Sequence, residues 1–288
     1  MNKILLKQLG KRTFSFLFFY IGIMYKKGII YSIIKALKGE IIMEVGKVKM
    51  ALLEQRRINL KGNLYHKTQL DFAYNTNHME GSTITPDETA SIYDTGTILT
   101  SNDKVIVLRD ATETQNHFTL FKYMLDTVDD DLTENMIKRY HFILKSGTLN
   151  ENEKEWFNVG DYKKLKNFVG ELRTSLPNNV ANDMQELLKW YNSITTKTIY
   201  DIIEFHARFE KIHPFQDGNG RVGRMIMFKE CLHNDIMPFF IEDRNKDYYI
   251  RGLKEYQMHD DKGYLIDTCL NSQDNYETLA EYFLEGLD

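Results

Sequence analysis

The amino-acid sequence predicts an all-α protein. Hydrophobic residues make up 42% of the 288 positions and only four residues are proline, a composition that favours a packed, helical body. Apolar residues recur at helical spacing in segments divided by polar turns. These segments are 105–125, 133–145, 182–191, 198–211, 221–232 and 276–287. The length suits one large domain, or a domain with an arm.

The first 42 residues differ from the rest in charge. They carry eight Lys and Arg against one acid, a charge of +7, so with −4 overall the other 246 residues carry −11. Their apolar run, 14–25, has twelve residues, fewer than the about 20 that cross a bilayer. No small-residue cleavage site follows it. This arm is either non-essential sequence before a start at Met43 or Met50, a contact for an acidic membrane or a partner, or a targeting segment.

The next signal is a helix start at Thr85-Pro-Asp-Glu88. It is a capping box, in which the threonine and glutamate side chains each bond to the other residue's backbone N–H. Proline at the first helical position is typical of such a start because its missing N–H costs nothing there. A helix is therefore expected to begin at this point.

Two of the predicted helices, 198–211 and 221–232, are joined by His213-Pro-Phe-Gln-Asp-Gly-Asn-Gly-Arg-Val-Gly-Arg224. A glycine-rich loop that opens a helix presents unpaired N–H groups and the positive end of the helix dipole to an anion. Gly218 and Gly220 allow positive φ and a close approach of phosphate oxygens. Arg221 and Arg224 can make charge-assisted contacts with separate phosphates of one chain. The loop therefore predicts a phosphate site.

Two further side chains in this loop suit nucleotide chemistry. Asp217 is a hard oxygen ligand of the kind that Mg2+ prefers, and the histidine at 213 can take a proton from an incoming hydroxyl. Each residue alone has a structural interpretation, since Asp-Gly-Asn-Gly usually forms a turn and arginines three apart usually lie on a solvated helix face. Turn chemistry does not explain a histidine, a carboxylate and two arginines directed at one helix N-terminus.

The segment resembles the Fic family signature, H-x-F-x-D/E-G-N-G-R-x-x-R, at all eight specified positions. The resemblance implies a Fic-domain helical bundle with a small β-hairpin flap, which transfers AMP from ATP to a Ser, Thr or Tyr hydroxyl with Mg2+ or Mn2+ as cofactor. Related enzymes that phosphorylate depart from G-N-G-R, which this chain retains. The implied roles are base for His213, metal ligand for Asp217, loop anchor for Phe215, anion hole for Gly218, Asn219 and Gly220, inner-phosphate contact for Arg221 and γ-phosphate contact for Arg224.

A second segment, Thr76-Asn-His-Met-Glu80-Gly81, resembles the family's inhibitory pattern S/T-x-x-x-E-G/N. The resemblance implies that Glu80 pairs with Arg224, so that the γ-phosphate loses its partner and ATP binds unproductively. Its position upstream of the signature is similar to the class II arrangement, in which an inhibitory helix precedes the catalytic segment. In such proteins the same glutamate can instead orient water for AMP removal, and this alternative stays open. The structural alternative is an ordinary exposed glutamate, because so loose a pattern also occurs by chance.

Weaker resemblances extend to either side of the signature. Gly160-Asp-Tyr-Lys163 and residues 168–177 lie where the family has its flap, which aligns a target segment by adding it as a strand. The candidate docking residues are Lys163, Phe168 and Val169. The family's usual arginine is Lys163 here, which leaves the choice of target open. The candidate adenine and ribose contacts are Asn245, Tyr248 and Tyr249, although aromatic residues there are equally typical of a core.

We therefore expect an arm at 1–42, an inhibitory-helix region at 43–100, a catalytic core at 101–258 and a helical extension at 259–288. The two cysteines form no disulfide framework or metal motif, so a reducing, cytoplasmic setting is expected. No wide basic domain argues for nucleic acid, and the expected partners are ATP and a target protein, itself included. A homo-oligomer stays open. An alternative from another functional class is an ATP-sensing module with little catalysis. The presence of His213 speaks against it, because binding alone needs no base.

Overall fold

The computed structural model describes residues 45–58, 60–98, 104–150, 152–170 and 172–285. The arm at 1–42, with the predictions made for it, lies outside these residues. The described residues form ten α-helices and one two-stranded antiparallel hairpin, as the sequence predicts. In chain order they are α1 Val45–Ile58, α2 Leu64–Met79, α3 Pro86–Thr95, α4 Leu108–Asp126, α5 Glu134–Lys145, β1 Phe168–Val169, β2 Leu172–Arg173, α6 Val180–Asn192, α7 Ile199–Ile212, α8 Asn219–His233, α9 Lys246–His259 and α10 Gly263–Leu284.

Threonine side chains begin three of these helices. The predicted capping box before α3 is confirmed, since Thr85 accepts from the N–H of Glu88 and the Glu88 carboxylate accepts from the N–H of Thr85 at 2.8 Å. The Thr133 side chain accepts from the N–H of Met136 at the start of α5, and before α7 the Asp201 carboxylate accepts from the N–H of Thr198 at 2.8 Å. Each cap satisfies donors that a helix start leaves open.

The start predicted for the helix at 276–287 is wrong, because in the structure this helix, α10, already begins at Gly263. Its first half faces the protein interior with Thr268, Ser272 and Gln273, which are buried although polar. A polar stripe of this kind hides the apolar period on which the prediction depends. The same reason applies to α2, which buries four polar residues in its sixteen, namely Thr68, Gln69, Thr76 and Asn77.

An aromatic cluster holds α2 against α8. Phe72 of α2 lies 5.4 Å from the ring of Phe228 in α8 and 5.5 Å from that of Phe240. Tyr276 of α10 meets Phe228 edge-on at 5.6 Å. Because α2 packs along α8, its C-terminal turn lies at the N-terminus of α8, where the glycine-rich loop ends. Among the described helices, none is both long and apolar enough to cross a membrane.

Candidate active site

His213 ends α7 in a left-handed conformation, with φ 52° and ψ 63°. Its N–H donates to the carbonyl of Phe209 at 2.8 Å, which closes the last turn of the helix. An αL residue at a helix end reverses the chain direction and is unusual for a residue with a Cβ. The side chain is 18% exposed, so the imidazole is mostly shielded but can be reached from solvent. The strained position therefore fixes the predicted base at the edge of the loop.

The loop after His213 is clamped by Asn219. Its Oδ1 accepts from the N–H of Phe215 at 2.8 Å, and its Nδ2 donates to the Phe215 carbonyl at 2.9 Å. Phe215 is fully buried, in line with the anchoring role expected for it. Both ends of the Asn219 amide are thus used to hold the loop, which leaves its backbone N–H for an anion.

His141 of α5 supports the loop from below. Its ring stacks on Phe215 with centroids 3.9 Å apart, and its Nδ1 accepts from the N–H of Gly160 at 2.9 Å. Its Nε2 then carries the hydrogen and donates to the carbonyl of Asp217 at 3.1 Å. Burial lowers the pKa of His141 to about 3, so the ring is a neutral bridge between loop and flap segment. No sequence motif pointed to this residue.

The predicted anion site is the N-terminus of α8. Gly218 has φ 80°, and the first N–H groups of an α-helix have no partners within the helix. A Cβ at Gly220 would lie 2.4 Å from Oε1 of Glu80. The carboxylate of Glu80 therefore already lies against this backbone, and only glycine leaves room for it.

Arg224 is held by the C-terminal turn of α2. Its Nε donates to Oγ1 of Thr76 at 2.7 Å, and its guanidinium also donates to the Thr76 carbonyl at 3.2 Å and to Oε1 of Glu80 at 2.5 Å. Arg224 is buried, whereas the Glu80 side chain is 34% exposed. Burial acts to lower the pKa of Arg224, but the Glu80 carboxylate raises it. Glu80 and Arg224 thus form an ion pair between the two segments, and Thr76 accepts two further hydrogen bonds from the arginine.

Gly81 follows Glu80 with φ 95°, a conformation that favours glycine. Its N–H donates to the carbonyl of His78 at 3.0 Å, so it turns the chain out of α2. Its part in the predicted inhibitory pattern is therefore conformational.

A buried chain of charges supports Asp217 and Arg221. Lys145, at the end of α5, contacts the carboxylates of Glu113 and Asp217, the latter at 2.7 Å. Glu113 of α4 also pairs with Arg221, which in turn lies 3.7 Å from Asp217. Lys145, Arg221 and Glu113 are all buried. Asn77 adds a longer contact to Arg221 at 3.4 Å.

The charges around Asp217 keep it ionised. Burial acts to raise its pKa, but Lys145 and Arg221 lower it well below its usual range. Its Oδ1 also accepts from the N–H of Gly218 at 2.7 Å, while the side chain remains half exposed. The carboxylate is therefore oriented from inside the protein and open toward the α8 N-terminus.

The predicted metal role fits this donor set. Mg2+ commonly takes one or two carboxylates from the protein, with phosphate and water oxygens completing its shell. Among the described residues no group of three or more acidic, histidine or cysteine side chains forms a complete metal cage. Asp217 would then be the protein's contribution and phosphates the remainder.

The flap hairpin pairs Phe168 with Arg173 and Val169 with Leu172. Phe168 is 63% exposed and free to meet a target segment, while Val169 is half-buried. The prediction of Lys163 as a docking residue is wrong, because its side chain is buried at the base of the hairpin. Its Nζ donates to the side chains of Asn167 and Thr174, both at 2.7 Å, and to the carbonyl of Ile212 at 3.2 Å. Lys163 therefore fastens the flap to the end of α7.

The three candidate adenine and ribose contacts differ in their exposure to solvent. Tyr248 is 61% exposed, and Asn245 is half-buried before the start of α9. Tyr249 is buried, its hydroxyl lies 2.5 Å from Nε2 of His206, and its ring centroid is 5.8 Å from the Arg224 guanidinium. Its position is thus that of a core residue behind Arg224, as the alternative interpretation allowed.

Comparison with known proteins identifies the segment that carries this site. The sequence model of the Fic/DOC family matches residues 131–231, which include α5, the flap, α7, the loop and most of α8. Residues 131–231 are a Fic domain. The resemblance of the signature segment to the Fic family is thereby confirmed.

Curated relatives that match this chain are named protein adenylyltransferases. A probable protein adenylyltransferase of Aquifex aeolicus is 35% identical over 109 residues, 36% of this chain and 33% of the relative. The protein adenylyltransferase Fic of Nematostella vectensis is 28% identical over 187 residues, 61% of this chain and 40% of the relative. The chain therefore spans about a third to two fifths of the length of these relatives.

Solved Fic structures share the fold. A Fic domain containing signaling protein from Bacteroides thetaiotaomicron superposes with a TM-score of 0.66 at 20% identity, covering 83% of this chain and 97% of that one. Fic-1 from Caenorhabditis elegans gives 0.63 at 16% identity, covering 90% and 73%. The predicted all-α Fic fold with a small hairpin is confirmed.

Proposed function

We propose that this chain is an autoinhibited protein adenylyltransferase, which transfers AMP from ATP to a Ser, Thr or Tyr hydroxyl of a target protein and releases pyrophosphate. The observation that carries the proposal is the placement of Asp217, Arg221 and Arg224 at the start of α8, with Glu80 already beside Gly220 and Arg224. The loop that leads into this site begins at His213. The names of the relatives support the same reaction.

In this mechanism His213 takes the proton of the attacking hydroxyl, whose oxygen then bonds to the α-phosphorus as the bond to pyrophosphate breaks. The N–H groups at the start of α8 and the guanidinium of Arg221 face the charge that develops on the phosphate oxygens. Asp217 would hold Mg2+ or Mn2+, which when bound supplies positive charge to the phosphates. The exposed Phe168 and the half-buried Val169 of the hairpin would align the target segment.

Inhibition follows from the contact between Glu80 and Arg224. While Glu80 occupies the guanidinium, the γ-phosphate has no cation to bind, and the same carboxylate repels an anion from the α8 N-terminus. The buried arginine cannot give up its partner without a replacement charge. The resting state is therefore expected to be slow, and displacement of Glu80 to be the activating event.

The test is transfer of label from ATP carrying radioactive phosphorus at the α position, with the full chain, Mg2+ and a cell lysate as the source of targets. Glu80→Gly is expected to label protein strongly, wild type weakly and Glu80→Gly/His213→Ala not at all. Glu80→Gln is the matched control, because it keeps the side chain's size and removes only its charge. An unchanged rate in Glu80→Gly would refute the inhibitory role, and full activity of His213→Ala with normal ATP binding would refute the catalytic one.

A second candidate function is removal of AMP from a modified protein. It is favoured by the partial exposure of Glu80, because a carboxylate beside the phosphate site and open to solvent can orient a water molecule. Release of AMP from a protein modified by the Glu80→Gly variant, when wild type is added, would support this reaction. If no variant transfers label although each binds ATP, the nucleotide-sensing alternative takes its place.

We place the reaction in a reducing compartment such as the cytoplasm, where ATP is supplied. The thiols of Cys231 and Cys269 are free and buried, which suits such a setting.

A further inference from the structure

Glu210 is a carboxylate buried in the last turn of α7, three residues before the base. It is 5% exposed, and no lysine or arginine forms a salt bridge with it among the described residues. Burial acts to raise its pKa, but His213, His206 and Arg224 lower it. A charged carboxylate without a close cation is costly in a protein interior, so its presence here calls for a physical reason.

Glu210 faces the ring of His213. Its Oε2 lies 3.6 Å from Nδ1 of His213, and that nitrogen is buried without a hydrogen-bond partner in the described part of the chain. The left-handed backbone of His213 turns its ring back toward α7. A shift of about half an ångström would complete a hydrogen bond. The two groups are therefore poised to pair.

The position of Glu210 is fixed from its other side. A Cβ at Gly223 of α8 would lie 3.0 Å from Oε1 of Glu210 and 2.7 Å from Nδ1 of His206. The carboxylate therefore packs against α8 backbone at a glycine, next to a second histidine. The titratable or charged groups around it are His206 and His213 from α7, Arg224 from α8 and Tyr249 from α9. Oε1 has no hydrogen-bond partner among the described residues, and Oε2 is the oxygen that faces the base.

We infer that Glu210 is the positioning residue of the base, holding the Nδ1–H of His213 so that the lone pair of Nε2 faces the attacking hydroxyl. When the hydroxyl O–H bond breaks, its proton moves to Nε2, and the resulting imidazolium is stabilised by the carboxylate. Glu210 takes no proton itself. A base oriented by a third group is a recurring arrangement in enzymes that activate hydroxyl nucleophiles. The kinetic consequence of this inference rests on the proposed function. Its structural claim, that the proton of the neutral His213 ring is on Nδ1, does not.

The structural claim is tested by the tautomer of His213 in the full chain, read from nitrogen-15 chemical shifts of labelled histidine at a pH where the ring is neutral. His213→Ala assigns the signal. Wild type is expected to carry its proton on Nδ1, and Glu210→Gln and Glu210→Ala are expected to shift the ring toward the Nε2–H form. Glu204→Gln is the matched control, because it removes a carboxylate from the same helix at a site paired with Lys262. A wild-type ring protonated on Nε2 would overturn the inference whatever the enzyme's activity.

The kinetic claim is tested in the Glu80→Gly background. Adding Glu210→Gln is expected to lower kcat for AMP transfer at least about tenfold while KM for ATP changes by less than about twofold. The acid limb of the pH–rate profile is expected to move to lower pH, since an imidazolium beside a neutral amide is less stable. A lower melting temperature with unchanged kcat and profile would overturn the inference and leave Glu210 a structural residue. Absence of transfer in the Glu80→Gly parent would instead refute the proposed function, with the tautomer result unaffected.

Discussion

Lys145 is the buried cation that joins Glu113 to Asp217, and replacing it with methionine tests the charge network beneath the candidate active site. Its Nζ is fully buried and contacts both carboxylates. Methionine has a similar length and an apolar stem, so Lys145→Met removes the charge with little change in packed volume. The perturbation is therefore mainly electrostatic.

The magnitude follows from what the substitution leaves behind. Removal of one partner from a buried ion pair costs about 3–5 kcal/mol. Since Glu113 keeps Arg221 as a second partner, the lower limit applies, about 3 kcal/mol. In a folded unit of roughly this size each kcal/mol lowers Tm by about 2–4 °C, so Lys145→Met is expected to lower Tm by roughly 6–12 °C.

The assay is thermal unfolding of the full chain followed by circular dichroism. Lys138→Met is the matched control on the same helix, because Lys138 is partly exposed and pairs with Glu134 at 3.0 Å and Asp161 at 2.9 Å. A partly exposed pair contributes about 1 kcal/mol or less, so the control should lose at most about 4 °C. A loss of Tm in Lys145→Met no larger than in Lys138→Met would refute the argument that this network stabilises the site.

Three further predictions concern the loop, the flap and the inhibitory contact. Asn219→Ala removes two buried hydrogen bonds to the Phe215 backbone and should lower the free energy of unfolding in urea by about 1–3 kcal/mol; unchanged stability would contradict the clamp. Burial lowers the pKa of Lys163 from 10.5 to about 8. Between pH 8 and 10.5 the unfolded chain therefore binds more protons than the folded chain. Wild type should accordingly gain stability relative to Lys163→Met as pH rises through this range. Parallel pH–stability curves would be the contrary result. Thr76→Val removes the hydroxyl that accepts from Arg224 at 2.7 Å and should raise AMP transfer, but less than Glu80→Gly, because Glu80 and the Thr76 carbonyl still hold the arginine; an equal rise would count against this ranking.

The sequence was sufficient for the elements whose chemistry is local. The capping box at Thr85 and the apolar periods of α5 and α7 depend on residues within one or two turns. The loop from His213 to Arg224 is equally local, because its glycines, carboxylate and arginines are consecutive in the chain. Even the pairing of Glu80 with Arg224, 144 positions apart, was implied by a family resemblance on both segments.

The supporting residues could not be predicted in this way. Glu113, His141 and Lys145 lie on helices distant in sequence from the loop, and each has an ordinary interpretation as part of an amphipathic helix. Lys145 reaches Asp217 across 72 positions, a proximity that only tertiary packing creates. The prediction for Lys163 was wrong because a lysine in a flap is expected at the surface. In the structure it instead donates to three acceptors at the base of the hairpin.

The central claim is that this site moves an adenylyl group and is held back by Glu80. The most direct measurement compares ATP labelled at the α-phosphate with ATP labelled at the γ-phosphate, using Glu80→Gly, wild type and Glu80→Gly/His213→Ala with Mg2+ and a lysate. The account predicts that Glu80→Gly transfers the α label to protein, while the γ label leaves as pyrophosphate. Wild type should transfer far less, and the double variant none. Transfer of the γ label to protein, or equal transfer of the α label by Glu80→Gly and wild type, would contradict it.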